Sequence, residues 1–362
     1  MWTASKRGAP VSFGNAVVGV NWEVFSFGGD KQYDNQLECL GGLMSVAILD
    51  TRYLEFRYLL YRQSEDVPLD RLETTAVAYG DQVYLWGGRS QDEEIFYDTL
   101  LCFDTRTRKW SFPETFGNRP AARIEHSAGV VNHIMYVFGG QSQQSVYFSN
   151  SDVYKLNLNT GRWRVVRATG ADVPSANARA AVTVGDRIYV VDASTGSDNL
   201  TLSYFDTTRE TWVTPSTNAG PPTRTGFCAW AYNGFIFMFG GSYLTTFSNE
   251  LWRYSPAVNI WELIPVAGTV PPQIGAVCCG IVEDKVYVFG GAVIRRPGAA
   301  ICYKNLHVFE YQVPELQTLC IMKVYEHRLN RDAGWLSVQS LDRFSFYYDN
   351  MRRDQFVWSR PA

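Results

Sequence analysis

Three arginines share one spacing. Arg71, Arg123 and Arg224 each lie sixteen residues before the first glycine of a Gly-Gly pair, at Gly87, Gly139 and Gly240. Arg89 directly follows the first of these pairs. A guanidinium donates paired, charge-assisted hydrogen bonds, so several converging on one spot suit a carboxylate or another anion. A second role is open to each: tying neighbouring elements together through carbonyls, or through acids such as Asp70 and Glu73. His126, three residues after Arg123, reads as a strand residue at the rim of the same surface.

Catalytic chemistry finds less support. The chain has 4 His, at 126, 133, 307 and 327, and no two make a metal-ligand spacing on one element. Glu94, Asp98 and Cys102 lie four apart, but the last two run into a strand and do not form a ligand set. No nucleophile with a base, phosphate loop or dinucleotide motif is visible. No catalytic residue, metal or cofactor is expected. The 7 Cys have no regular spacing and read as free thiols in a reducing compartment; adjacent Cys278 and Cys279 should face opposite sides of a strand.

The elements that must position the arginines announce themselves by repetition. VFSFGG at 24–29, VYLWGG at 83–88, MYVFGG at 135–140, IFMFGG at 236–241 and VYVFGG at 286–291 are copies of one unit, and IYVVDA at 188–193 is a sixth that has lost its glycines. A spacing near 50 residues with a diglycine marks a kelch propeller. Each repeat divides into four strands. Strand a precedes a tight turn such as Asn233-Gly234. Strand b ends in the glycines, which permit close backbone approach and unusual φ. Strand c follows a variable loop. Strand d carries Trp110, Trp163, Trp212 or Trp261, with Phe56 in that place in the first repeat. The sixth repeat lacks its Trp, and Trp2 is expected to supply it by closing the ring; the alternative is a frayed terminus. The expected fold is therefore all-β: a six-bladed kelch β-propeller over 1–312, closed by an N-terminal strand. The b–c loops and d–a connections should share one face, and variable loops on a rigid scaffold are where binding residues concentrate.

Bulk properties narrow the partners. Lys+Arg 33 against Asp+Glu 36 gives a net charge of −3, which offers no general attraction to nucleic acid or to an anionic membrane. The longest apolar stretch, near 275–294, is interrupted by Glu283, Asp284 and Lys285. Lys6 and Arg7 are followed by no apolar run, so no signal peptide is read and a cytoplasmic or nuclear location is expected.

After the sixth repeat comes VPELQTLCIMKV at 313–324. Pro314 and Glu315 suit a first helical turn, and Leu316, Leu319, Cys320 and Val324 form one apolar stripe. That stripe suits a helix docking on the propeller. It also resembles the elongin-binding box of cullin substrate receptors. Together with blade text such as YVFGGQSQQSVYFSN at 136–150 and CCGIVEDKVYVFGG at 278–291, it is similar to the kelch-repeat substrate receptors of cullin-2 RING ubiquitin ligases. The resemblance implies a short C-terminal α-helical segment over 313–336 that binds Elongin C with Elongin B through Leu316, Leu319, Cys320 and Val324. It implies cullin-2 contact through Leu329 and Trp335, with Asn330 where the family has proline. It further implies that substrates are bound by their C-termini. The pocket departs from the pattern: Ser194 stands where related receptors have an arginine, and Arg224-Thr225-Gly226-Phe227-Cys228 keeps only the arginine of an Arg-Ser-x-His-Ser-like entry. Losing two charged contacts of roughly 1.5–3 kcal/mol each would weaken a glycine-ended ligand by roughly 10²–10⁴-fold. Arg71, Arg89 and Arg123 then offer a displaced carboxylate site, and Phe227 favours a bulkier end group. A protein-interaction scaffold without ligase role, linked in that family to chromatin and the germline, is the alternative. Residues 337–362 show no period.

Overall fold

Short, nearly continuous apolar runs such as VFSF at 24–27 and MYVF at 135–138 form strands buried on both faces, and the sheets stack radially. The computed structural model describes residues 2–311 except 6–7, 11–13, 30–43, 60, 62–67, 91–94, 143–151, 171–179, 194–196, 244–245, 267, 269 and 297–298. It is all-β in those residues and forms a six-bladed propeller. Blade 1 runs Ala16–Val20, Glu23–Phe27, Val46–Asp50, Glu55–Leu59, and blade 2 Thr75–Tyr79, Gln82–Trp86, Leu100–Asp104, Lys109–Ser111. Blade 3 runs Ser127–Val131, Ile134–Phe138, Asp152–Asn157, Arg162–Arg167, and blade 4 Ala180–Val184, Arg187–Asp192, Thr201–Asp206, Thr211–Val213. Blade 5 runs Thr225–Tyr232, Phe235–Tyr243, Leu251–Ser255, Ile260–Ile264. Blade 6 takes Cys278–Val282, Lys285–Phe289 and Leu306–Glu310, and its outer strand is Trp2–Ser5.

The core is a ring of apolar wedges, one in each gap between neighbouring blades. Phe25 and Phe27 meet Phe103 and Trp110 between blades 1 and 2, and Phe138 meets Trp212 between blades 3 and 4. Cys278 and Cys279 do face opposite ways, their sulfurs lying 4.0 Å from the Asn15 carbonyl of blade 1 and 3.8 Å from the Ala229 carbonyl of blade 5.

Closure follows the sequence expectation. Trp2 pairs with Phe309 in antiparallel register, is 1% exposed, and packs its ring at a tilt against Phe239 and Phe309 at 4.8 and 5.0 Å. Its neighbour Gly268 pairs with it in parallel, as Gly117 does with Trp163 and Gly170 with Trp212. In blade 5 the same job falls to Asn218, whose side chain bonds both the carbonyl and the N–H of Trp261, at 2.9 and 2.7 Å. Each of these tryptophans is thus clasped by the connection that leaves the preceding blade, and Trp2 fills that place in blade 6.

The glycine doublets do what a side chain prevents. Gly28 and Gly29 have φ of 64° and 91°, and a Cβ on Gly28 would lie 2.2 Å from the Arg71 carbonyl of the next blade. In blade 4, Asp192 continues its strand, paired with Thr201, and neither it nor Ala193 has positive φ. The local turn therefore differs there.

Candidate functional site

The shared arginine spacing has a structural meaning at both ends of the residue. The N–H of a doublet's second glycine donates to the carbonyl sixteen residues before the next blade's doublet: Gly29 to Arg71 at 3.3 Å, Gly88 to Arg123 at 2.9 Å, Gly241 to Ile274 at 3.2 Å. The guanidinium then reaches its own blade. Arg71 Nη1 donates to the Gly87 carbonyl at 3.0 Å, and Arg123 Nη1 to the Gly139 carbonyl at 2.7 Å. Arg71 also donates to Thr99, through the carbonyl at 3.2 Å and Oγ1 at 2.6 Å, and stacks on the Tyr97 ring at 4.2 Å. Arg123 lies over Tyr154 at 5.1 Å and donates from Nε to the Ala121 carbonyl at 3.1 Å. Of the two roles open to these side chains, tying the ring together is the one they perform in the described contacts.

Burial governs their electrostatics. Removal from water pushes the Arg71 guanidinium down to about 10 and lowers that of Arg123 as well. His126 is buried beside Arg123, its Nε2 2.8 Å from the Thr75 hydroxyl in blade 2. Burial first, then the Arg123 charge, push its pKa down to about 3, so the imidazole is neutral at physiological pH.

The remaining candidates disperse. Arg89 is half-buried and faces Glu73, Nε to Oε2 at 3.5 Å, while its backbone pairs with Leu72. Phe227 is buried in the wedge between blades 4 and 5. Arg224 departs from the pattern of Arg71 and Arg123: its Nη2 binds Glu250 Oε2 at 2.8 Å, and its Nε donates to the Pro222 carbonyl at 3.0 Å. Glu250 and its second donor, Trp252 Nε1 at 3.0 Å, were not singled out from the sequence; nothing in their spacing marks them. Ser194 lies outside the described residues, as do Leu316, Leu319, Cys320, Val324, Leu329 and Trp335. Asp98 pairs with Arg119 at 3.0 Å, and Cys102 Sγ donates to Gln82 Oε1 at 2.9 Å, so both have structural partners.

Six four-stranded blades, diglycine exits and a ring shut by its own first strand define a kelch propeller. The profile of the KLHDC2/KLHL20/DRC7 Kelch-repeats domain matches residues 5–196, 73–291 and 192–318. The chain belongs to this kelch-repeat family, whose propellers are in general non-catalytic interaction domains. It is similar to kelch domain-containing protein 3 of Rattus norvegicus, 32% identical over 356 residues that cover 92% of each chain, and to that of Homo sapiens at 31% over the same shares. It is a divergent relative of those proteins. The solved structure titled "Structure of YjhT" has the same fold, with a TM-score of 0.61, 13% identity, and coverage of 83% of this chain and 96% of that one.

Proposed function

We propose that the chain is the substrate-recognition subunit of a cullin-RING ubiquitin ligase. It binds Elongin C with Elongin B through Leu316, Leu319, Cys320 and Val324, and cullin-2 through Leu329 and Trp335. It holds substrate proteins by their C-termini on the loop face of the propeller, in the cytoplasm or nucleus, without a cofactor. The ligase chemistry belongs to the partners.

One observation carries this reading. The outer strand of blade 6 is Trp2–Ser5, so the sixth blade has its four strands without drawing on any residue after Glu310. The segment that follows is the one whose Leu-x-x-x-Cys-x-x-x-Val spacing resembles an elongin box. The family kinship over nearly the whole chain supports it.

The test is co-purification. Wild type should retain Elongin B/C, and Leu316→Asp with Cys320→Asp should lose it while the unfolding temperature stays unchanged. Equal recovery from both would instead favour the interaction scaffold, with the helix merely docked on the ring.

A further inference from the structure

Arg224 holds a carboxylate that belongs to the protein itself. Its side chain is 7% exposed and that of Glu250 is 41% exposed. Glu250 Oε2 takes both Arg224 Nη2 at 2.8 Å and Trp252 Nε1 at 3.0 Å, and the Ser248 side chain also hydrogen-bonds the Glu250 carboxyl. Arg224 Nε is spent on the Pro222 carbonyl, and Nη1 is buried with no hydrogen-bond partner among the described residues. Glu250 stands at the end of the b–c connection of blade 5, with its carbonyl tied to Gly240 N–H at 3.3 Å. The other two arginines of this spacing donate to doublet carbonyls, at Gly87 and Gly139.

We propose that Glu250 is an internal stand-in for a ligand carboxylate, occupying Arg224 in the unliganded propeller and setting the threshold that an incoming C-terminus must overcome. The inference rests on the C-terminal reading above and adds a specificity-determining residue to it. A ligand carboxylate wins by geometry. It engages Nη1 and Nη2 together as a fork, whereas Glu250 engages one nitrogen and leaves the other idle. The displaced Glu250 swings into solvent, where its half-exposed side chain already reaches. Ligand ends that bring no carboxylate cannot make this exchange.

The experiment uses the full chain and an arrayed library of decapeptides varied in their last three residues, each made as free acid and as amide. Dissociation constants are read by fluorescence polarisation for wild type, Glu250→Ala and Glu250→Gln. Both variants should bind free-acid peptides about tenfold tighter, equivalent to about 1.4 kcal/mol, with amides unchanged; the glutamine variant guards against a packing effect of the alanine. If wild type prefers acids and neither folded variant shifts that preference, the stand-in is wrong and the C-terminal reading survives. If no protein distinguishes acid from amide, both fall.

Discussion

The N–H of Gly88 donates to the carbonyl of Arg123 across the gap between blades 2 and 3, at 2.9 Å, and the guanidinium of that same arginine reaches on to the Gly139 carbonyl of its own blade at 2.7 Å. One residue therefore couples two blades through its backbone and anchors a diglycine exit through its side chain. Arg71 repeats the arrangement one blade earlier. The spacing that made these arginines conspicuous is the length of chain from one attachment to the other.

Gly28→Ala should be among the most damaging single-methyl changes in the chain. Positive φ and a Cβ 2.2 Å from the Arg71 carbonyl both oppose it, for a loss of roughly 2–5 kcal/mol. Gly80→Ala shares the positive φ but meets nothing within 4 Å, so it should lose only about 1–2 kcal/mol. Urea midpoints of the two variants, compared with wild type, measure the difference.

Arg71→Ala and Arg89→Ala should separate structure from surface. Arg71 gives up three hydrogen bonds and a stacked ring, a cost of about 3 kcal/mol or more. Arg89 gives up one long ion pair with a part-exposed acid, within about 1 kcal/mol. Thermal unfolding of each variant reads this directly, and equal losses would show that Arg71 is not the tie described.

Trp2→Ala should cost roughly 3–5 kcal/mol, the range for truncating a buried aromatic. Trp22, 51% exposed in the turn between Val20 and Glu23 with the Arg52 guanidinium 5.0 Å from its ring, should tolerate the same change within about 1 kcal/mol. An unchanged denaturation midpoint for the Trp2 variant would contradict the closure.

Much of this was legible beforehand because repetition amplifies weak signals. The doublets located five strands b and the apolar run IYVV the sixth, the tryptophans located four strands d, and the vacancy in blade 6 pointed to Trp2. The clasps at Phe116–Gly117 and Thr169–Gly170 were not legible, since a two-residue parallel strand leaves no period to detect. Nor was the hairpin of Ala292–Arg296 with Ala299–Cys302, which the sequence suggested only as a variable loop. For the site, position was readable and partnership was not. Sequence placed Arg71, Arg123 and Arg224 at equivalent points, but whether a guanidinium meets a carbonyl or the carboxylate of Glu250 depends on where a distant loop ends.

His126 should make stability fall in mild acid. Its folded pKa is depressed to about 3 from 6.5, so the unfolded chain takes up a proton that the folded one refuses. The contribution is intact above pH 6.5 and is lost as pH falls towards 3, by about 2 kcal/mol at pH 5. His126→Gln should flatten the difference in unfolding free energy between pH 7 and pH 5 by that amount; parallel profiles for the two proteins would refute it.

The pairing of Trp2 with Phe309 also imposes an order of events during synthesis. Residues 2–5 emerge some three hundred positions ahead of the strand that shelters them, and must wait with a bare tryptophan while five blades assemble. A polypeptide halted before Leu306 has no seam to close, and it also lacks the segment that follows. On the ligase reading proposed above, the same late stretch of translation seals the toroid and completes the segment proposed to bind Elongin C, so that partner would meet only chains long enough to close their ring.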